Sequence, residues 1–389
     1  MKVAYYSPLP PETSGIADYS ALLLPALRQR IEVDVVKRGR TKPARGTDVS
    51  LYHVGNSPEA HGWIVDALRR RPGVVVLHEL VLHHLIAGIT IGRKDGRGYL
   101  DALERDSGLP GRLLAHGVLE ARLPPLWETR PEDFPLAGEV LDRATGLIVH
   151  SRYVEEGTRR LGYDGPLWRI PHPAWPAPEV EPAAVHGSPL IGCFGHLNAS
   201  KRVPQLLEAF RLLPDTARLL LVGPVSSRYD LDAVLERYGS ERVIREEYVP
   251  ESRLWSLMAA CDVLVSLRAP TMGETSGSAL RALSLGKPLV VSDVGGFSEL
   301  DGAARIPVGD GEVEALFAAL VQPPEPVQAP PQHDVTRVAD RYAAALEQAA
   351  GGEAVRDAVL HEVAAAAAAV GLEDTTELSS ALRGVGLGE

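Results

Sequence analysis

The sequence predicts an α/β protein built from two doubly wound parallel sheets, each covered by helices on both faces and facing a central cleft. Three observations carry this expectation. Short β-rich runs alternate with helical patterns up to about residue 170, the alternation restarts near residue 190, and a proline-rich stretch separates the two series. Length agrees: 389 residues with 45% hydrophobic content and 37 glycines exceed one ordinary core and suit two domains of about 150–200 residues.

The formal net charge of −11 argues against a nucleic-acid partner, which calls for a basic face. The opening MKVAYYSPLP enters a strand directly, and no long apolar run points to export or a membrane span. The expectation is a cytoplasmic protein, with peripheral membrane attachment left open. Cys193 and Cys261 each lie inside apolar runs rather than in a CxxC pair, so both are expected as buried free thiols.

In the first half, Val3–Ser7, Val33–Lys37, Val49–Val54, Val74–Leu77 and Leu147–His150 have strand character, and Ile16–Arg30, Pro58–Arg71 and Ser151–Leu161 have helical periodicity. Ligands of such sheets lie beyond the C-terminal strand ends, so the residues following each strand are the candidates. The first loop, Ser7 to Ser20, lacks GxGxxG, which weakens a dinucleotide reading. It places Gly15 at a helix start, where backbone can approach a phosphate or a sugar. His78 ends the fourth strand, suited to a sugar hydroxyl or phosphate oxygen. His83 and His84 are expected on the polar side of the next helix. Their spacing from His78 does not place two ligands on one helical face, so no metal is expected. Residues 92–138, with helical patterns at Tyr99–Arg105 and Gly111–Leu123, form an insertion expected to act as an acceptor-facing lid.

Prolines 171, 173, 176, 178, 182 and 189 mark 171–189 as a stiff, exposed connector between domains 1–170 and 190–334. Leu167–Ile170 is expected as a strand leading into it. Strand-like runs then follow at Leu190–Phe194, Ala217–Val222, Val243–Arg245, Val263–Leu267, Pro288–Ser292 and Arg305–Val308. Between them lie helical patterns at Arg202–Leu213, Leu231–Tyr238, Glu251–Ala260 and Glu312–Val321. The first loop of this half crowds His196, Asn198, Ser200, Lys201 and Arg202 at a helix start, where cations oppose the helix dipole unless an anion is bound. In Thr271 to Gly296, Glu274 precedes a helix start at Thr275, Ser276, Gly277 and Ser278, whose amides can seat a phosphate. A carboxylate beside that seat suits hydroxyls on whatever carries the phosphate, which points to a phosphorylated sugar. Ser278 and Arg281, three apart, would face the ligand while Leu280 and Leu283 face the core. Residues 335–349 are amphipathic. The Ala-rich run 353–370 is a strong helix former, suited to packing on its own domain or to docking, and the closing RGVGLGE is expected to be loose.

The GH-x-x-x-SK turn at Gly195, the LLLVGP strand end, the segment EEYVPESRLWSLMAACDVLVSLR and the GETSG…LGKPLVVSDVGG block occur in that order. With VLHELVLHHL and PLPPETSGIADYS in the first half, they resemble retaining GT-B glycosyltransferases of family 4 over roughly residues 1–346. The resemblance implies two Rossmann-like domains and transfer of a sugar from a nucleotide diphosphate donor to an acceptor hydroxyl. It implies retained anomeric configuration, with no metal or other cofactor. Lys201 then matches the lysine on the donor diphosphate, and His196 stands where an arginine is usual. Glu274 matches the first of a glutamate pair and touches the donor sugar. Arg281 occupies the place of the second, the ribose ligand, and is a departure from the pattern. His78 matches the active-site histidine, Gly15 the glycine loop, and Glu247, Tyr248 and Val249 the segment lining the base. Lys201, Glu274 and His78 are thus the expected catalytic residues. Gly15, His196, Asn198, Arg202, Glu247, Tyr248, Val249, Thr275, Ser276, Gly277, Ser278 and Arg281 are the expected donor ligands. The donor base (UDP or GDP type), the acceptor (glycan, lipid-linked or small molecule) and the oligomeric state, a homodimer included, stay open. Because Arg281 replaces a usual ligand, a catalytically degenerate nucleotide-sugar-binding subunit is the alternative. An NAD-linked oxidoreductase lacks its glycine fingerprint.

Overall fold

The computed structural model describes residues 1–352 apart from Thr13 and Thr41, together with Val363 and Ala366. The expected Ala-rich helix and loose end lie outside the described residues apart from those two. The chain divides into two units, Met1–Pro171 with Thr336–Glu389, and His172–Val335.

The first unit holds β1 (Lys2–Tyr6), β2 (Glu32–Val35), β3 (Val49–Val54), β4 (Gly73–Leu77), β5 (Ala144–Val149) and β6 (Leu167–Arg169). All pair in parallel, in the order β2-β1-β3-β4-β5-β6. Every residue of β3 and β4 is buried. That is why these strands appear in the sequence as continuous apolar runs rather than alternations. The two-residue period sorts their side chains. Val3, Tyr5, Leu51, Val74 and Val76 pack against the helices Gly15–Arg28 and Val335–Ala350. Ala4, Tyr52, Val54, Val75 and Leu77 face the helix Pro58–Arg70 and the segment that follows β4. The helix Val335–Ala350 thus belongs to the first unit. It buries Val338, Tyr342 and Leu346 at four-residue spacing, and the Tyr342 hydroxyl lies 2.6 Å from that of Tyr19.

Residues 92–138 contribute to the core of the first unit. Tyr99, Leu103 and Ala115 are fully buried in the same core as Val75 and Leu77. The two helical patterns expected there are two helices within Gly96–Leu119, separated by a break at Gly108 (φ 61°, ψ −158°) just before Pro110. Glycine permits the break, and proline cannot donate across it.

The second unit holds β7 (Leu190–Phe194), β8 (Arg218–Val222), β9 (Val243–Glu246), β10 (Val263–Ser266), β11 (Leu289–Ser292) and β12 (Ala304–Ile306). Their parallel order is β12-β11-β10-β7-β8-β9. Strand order reverses between β7 and β10, which opens a crevice at the C-terminal ends of those two strands. The connector is exposed only in part: residues 176–179, 181 and 182 are exposed, but its start is not. His172, Ala174, Trp175 and Ala183 are buried. Ala174 N–H donates to His333 O (2.8 Å) and Ala183 N–H to Ser256 O (2.9 Å). A proline-rich run has few backbone donors, and these find carbonyls in their own unit, so the segment docks at low polar cost.

Candidate active site

Gly195 follows β7 with φ +102°, and Gly223 follows β8 with φ +138°. A Cβ on Gly223 would collide with the Gly195 carbonyl oxygen, so both strand ends require glycine. A Cβ on Gly195 would stand 3.5 Å from Lys201 Nζ and 3.9 Å from Ser278 Oγ. This bare backbone is the floor on which the loops after β7 and β10 meet.

Lys201 is buried, and its Nζ donates to Phe194 O at 2.9 Å. Burial lowers its pKa to about 8, the nearby Arg268 cation adds to the lowering, and Cys193 and Glu274 oppose it. The turn before it is held by Ser200 Oγ donating to Asn198 Oδ1 at 2.8 Å. His196, exposed on this loop, has its pKa lowered by desolvation of the ring and then by Arg268 and Lys201, so it is neutral at pH 7.

On the β10 side, Ser276 caps the helix Gly277–Ser284, its Oγ accepting from Ala279 N–H at 3.2 Å. That Oγ lies 3.0 Å from Ser266 Oγ at the end of β10 and 3.0 Å from Ser278 Oγ. A chain of hydroxyls therefore leads from the strand into the helix start. Thr275 precedes the cap, and the Gly277 and Ser278 amides have no acceptor within the helix. Glu274 has one oxygen, Oε1, 2.7 Å from Arg268 Nε. The other, Oε2, accepts from Met272 N–H (2.7 Å) and Thr271 Oγ1 (3.1 Å). Sequence reasoning missed Arg268. It directly follows the strand-like run ending at Leu267, the position where candidates were sought, but it carries no local motif.

Several expected ligands have other partners. Arg202 has left-handed backbone (φ 55°), and its Nε donates to Glu312 Oε1 at 3.0 Å, with a second contact from Nη2 to Oε2. Glu312 is buried and also accepts from Gly309 N–H at 3.2 Å. The cation at this helix start is thus neutralised by protein, and no anion is needed to explain it. Arg281, expected to face the ligand beside Ser278, packs against aromatic rings. It is buried, with its guanidinium 3.7 Å from the ring centre of Trp175, 5.8 Å from that of Trp255, and Nη2 3.6 Å from Glu251. Its Nη1 nevertheless stays near the helix start, 3.4 Å from where a Cβ on Gly277 would lie. Glu247, Tyr248 and Val249 follow β9, two strands from β7. Tyr248 is 72% exposed, Glu247 lies 3.5 Å from Arg245, and Val249 is half-buried.

In the first unit, Gly15 opens the helix Gly15–Arg28 behind the cap Ser14, whose Oγ accepts from Ala17 N–H at 3.0 Å. Gly15 is exposed, with nothing within 4 Å of a Cβ built on it. His78 follows β4 and is 7% exposed. Its Nε2 lies 3.0 Å from His53 Nδ1, and its ring meets the edge of Tyr19 at 4.8 Å and His150 at 5.1 Å. It is therefore one member of a buried aromatic layer, not a lone strand-end histidine. His53 is held far below the ordinary histidine pKa by burial, then by His150 and His61. His83 is fully buried against Tyr99 (Nε2 to Oη 2.9 Å) and lowered to about 4, mainly by burial, so it lies inside the core rather than on a polar helix face. Among the described residues no group of three or more His, Cys, Asp or Glu is arranged to hold a metal. No helix among them is long and apolar enough to cross a membrane.

The two parallel six-stranded sheets define the GT-B class of fold, and solved structures share it. Sucrose-phosphate synthase from Thermosynechococcus elongatus is 16% identical, with a TM-score of 0.56, covering 94% of this chain and all 100% of that one. Anabaena HepE, solved in complex with UDP and glucose, is 16% identical with a TM-score of 0.53, over 89% and 95% of the two chains. AviGT4, a glycosyltransferase involved in avilamycin A biosynthesis, is 18% identical with a TM-score of 0.52, over 90% and 98%. Residues 188–323 match the family model described as glycosyl transferases group 1. That segment contains Lys201, Arg268, Glu274 and the helix Gly277–Ser284. No curated protein sequence matches the chain at a significant level.

Proposed function

We propose that the chain is a glycosyltransferase that moves a sugar from a nucleoside-diphosphate donor to an acceptor hydroxyl, with retained configuration and without a metal. The observation carrying this reading is the meeting of buried Lys201, the capped helix start at Ser276–Ser278 and the carboxylate Glu274 where the strand order of one sheet reverses. The site combines an anion seat, a fixed cation and a hydroxyl acceptor, the set a sugar diphosphate needs. The UDP bound to HepE favours a UDP-type donor.

As the bond from the anomeric carbon to the β-phosphate oxygen breaks, its electron pair stays on that oxygen. Lys201 and the Gly277 and Ser278 amides stabilise the growing charge, being already oriented and shielded from water. Glu274 orients the sugar through its hydroxyls. The acceptor oxygen bonds to the anomeric carbon on the face the phosphate leaves, and its proton passes to the departing phosphate oxygen. No side-chain nucleophile takes part. Tyr248 and Val249 are assigned to the base, and Gly15 and His78 of the first unit to substrate contact. Arg202 is assigned to holding its turn through Glu312 rather than to the donor.

The test is turnover of a panel of UDP- and GDP-sugars by the purified protein in the presence of EDTA, with anomeric configuration followed by NMR. Turnover is expected with at least one donor. Glu274→Ala and Lys201→Ala are each expected to lower it about 100-fold or more. Donor binding without turnover under every donor and acceptor pair would mark a non-catalytic nucleotide-sugar binder. No binding at all would remove the donor reading.

A further inference from the structure

We propose that Arg268 is a positioning residue that ties the sugar-side carboxylate to the phosphate-side turn, so that seating the diphosphate and orienting Glu274 become one event. The inference rests on the donor reading above. Arg268 leaves the end of β10 and reaches both loops of the site. Its Nε stands 2.7 Å from Glu274 Oε1, and its Nη1 donates to Ser200 Oγ at 2.6 Å, one residue before Lys201. Backbone bonds fix the same junction: Arg268 N–H donates to Ser292 Oγ (2.8 Å) and Ala269 N–H to Ser200 O (2.9 Å). The side chain is 13% exposed and Glu274 is 18% exposed, so their attraction is less screened than on an open surface.

The charge count singles out this residue. Lys201 and Arg268 bring two cations into a largely buried space that holds one carboxylate, Glu274, while His196 is neutral and the Cys193 thiol is pushed up by burial. Among the described residues Glu274 is the carboxylate facing both cations, so one positive charge there exceeds its counterion, in a chain of net charge −11. An anion arriving between the helix start and Lys201 satisfies it. Arg268 is bound to Glu274 and Ser200 at once, so displacing either loop disturbs the other.

Calorimetric titration of the intact chain with UDP and with UDP-glucose, and with GDP and GDP-mannose, tests this on R268Q, R268K, E274Q and the R268Q/E274Q pair. R268Q is expected to weaken both the nucleoside diphosphate and the nucleotide sugar by about tenfold or more. R268K is expected to recover part of the loss. In the pair, nucleotide-sugar affinity is expected to fall no further than in the weaker single variant, since one coupled unit is lost only once. The pH profile adds a readout that simple loosening would not move. Affinity of the parent falls above about pH 8 as Lys201 loses its proton. Removing the Arg268 charge raises the Lys201 pKa and moves that fall to higher pH. Thermal midpoints without ligand check each fold, and S200A, which removes the Nη1 contact together with the Ser200–Asn198 bond of the turn, covers the case in which R268Q does not fold. For S200A a smaller loss of affinity is expected, and unchanged affinity counts against the coupling. Parent-like affinity in R268Q, multiplying losses in the pair, or an unmoved pH profile overturns the inference and leaves the donor reading intact. No nucleotide binding by the parent overturns both.

Discussion

Lys201 is an ammonium in a site that disfavours charge. Its pKa falls from 10.5 to about 8 on folding, chiefly through burial, so the folded protein holds this proton less tightly than the unfolded chain does. For a lysine lowered in this way, stability is smallest below about pH 8 and rises as pH climbs toward 10.5, the reverse of a lysine gaining an ion pair. At pH 7 the difference corresponds to about 3 kcal/mol of opposition to folding. Lys201→Met is therefore expected to raise the thermal midpoint at pH 7 while removing the stabilisation that UDP gives the parent. Thermal-shift measurements with and without UDP check both halves, and a lowered midpoint would show that the contact to Phe194 O outweighs desolvation. In the parent, UDP is expected to raise the midpoint more at pH 7 than at pH 9.5, since the charged lysine is the binding form.

At the scale of elements, the helix start after β7 and the helix Glu312–Val321 are joined by Arg202 and Glu312, 110 positions apart. The Glu312 side chain is 2% exposed, and removing one member of a buried pair leaves the other uncompensated. Glu312→Gln is expected to destabilise the protein by about 2–4 kcal/mol, discounted because the Arg202 side chain is 23% exposed. Denaturant titration measures this. UDP affinity is expected to stay within about threefold of the parent, because Arg202 serves the fold rather than the ligand. A larger loss of affinity would return Arg202 to the donor site. Gly223→Ala places a methyl group against the Gly195 carbonyl in a backbone region closed to alanine. A loss of more than about 2 kcal/mol by the same titration is expected.

At the scale of the whole molecule, the chain leaves its first unit at Pro171 and returns at Thr336. The returning helix supplies Val338, Tyr342, Ala345 and Leu346 to the core beneath β1, β3 and β4. A chain ending at residue 335 would expose that apolar face, at about 25 cal/mol per Å² uncovered. Calorimetry is expected to show a separate, lower transition for the first unit while UDP still stabilises the second. Loss of both transitions together would mean that the units do not fold independently.

Much of this organisation was legible in the residues. The twelve strands among the described residues were each foreshadowed by an apolar run. The ends of Val49–Val54, Leu190–Phe194, Leu231–Tyr238 and Glu251–Ala260 agree to the residue. Lys201 and Glu274 stood out because cations at a helix start and an acid beside an anion seat are local anomalies. Arg268, the burial of Arg281 under Trp175 and the pairing of Arg202 with Glu312 were not legible. Each depends on which strand lies beside which, and the adjacency of β7 and β10 joins segments some 70 residues apart. The burial of Tyr99 and Leu103 within 92–138 was not legible for the same reason: they look like helix surface until the sheet they cover is known. By itself the sequence determined the order and kind of elements and the chemical groups available, because periodicity, caps and turn residues act over a few positions. Tertiary structure alone decided which charges neutralise one another and which remain for a ligand, because counterions are chosen by distance in space.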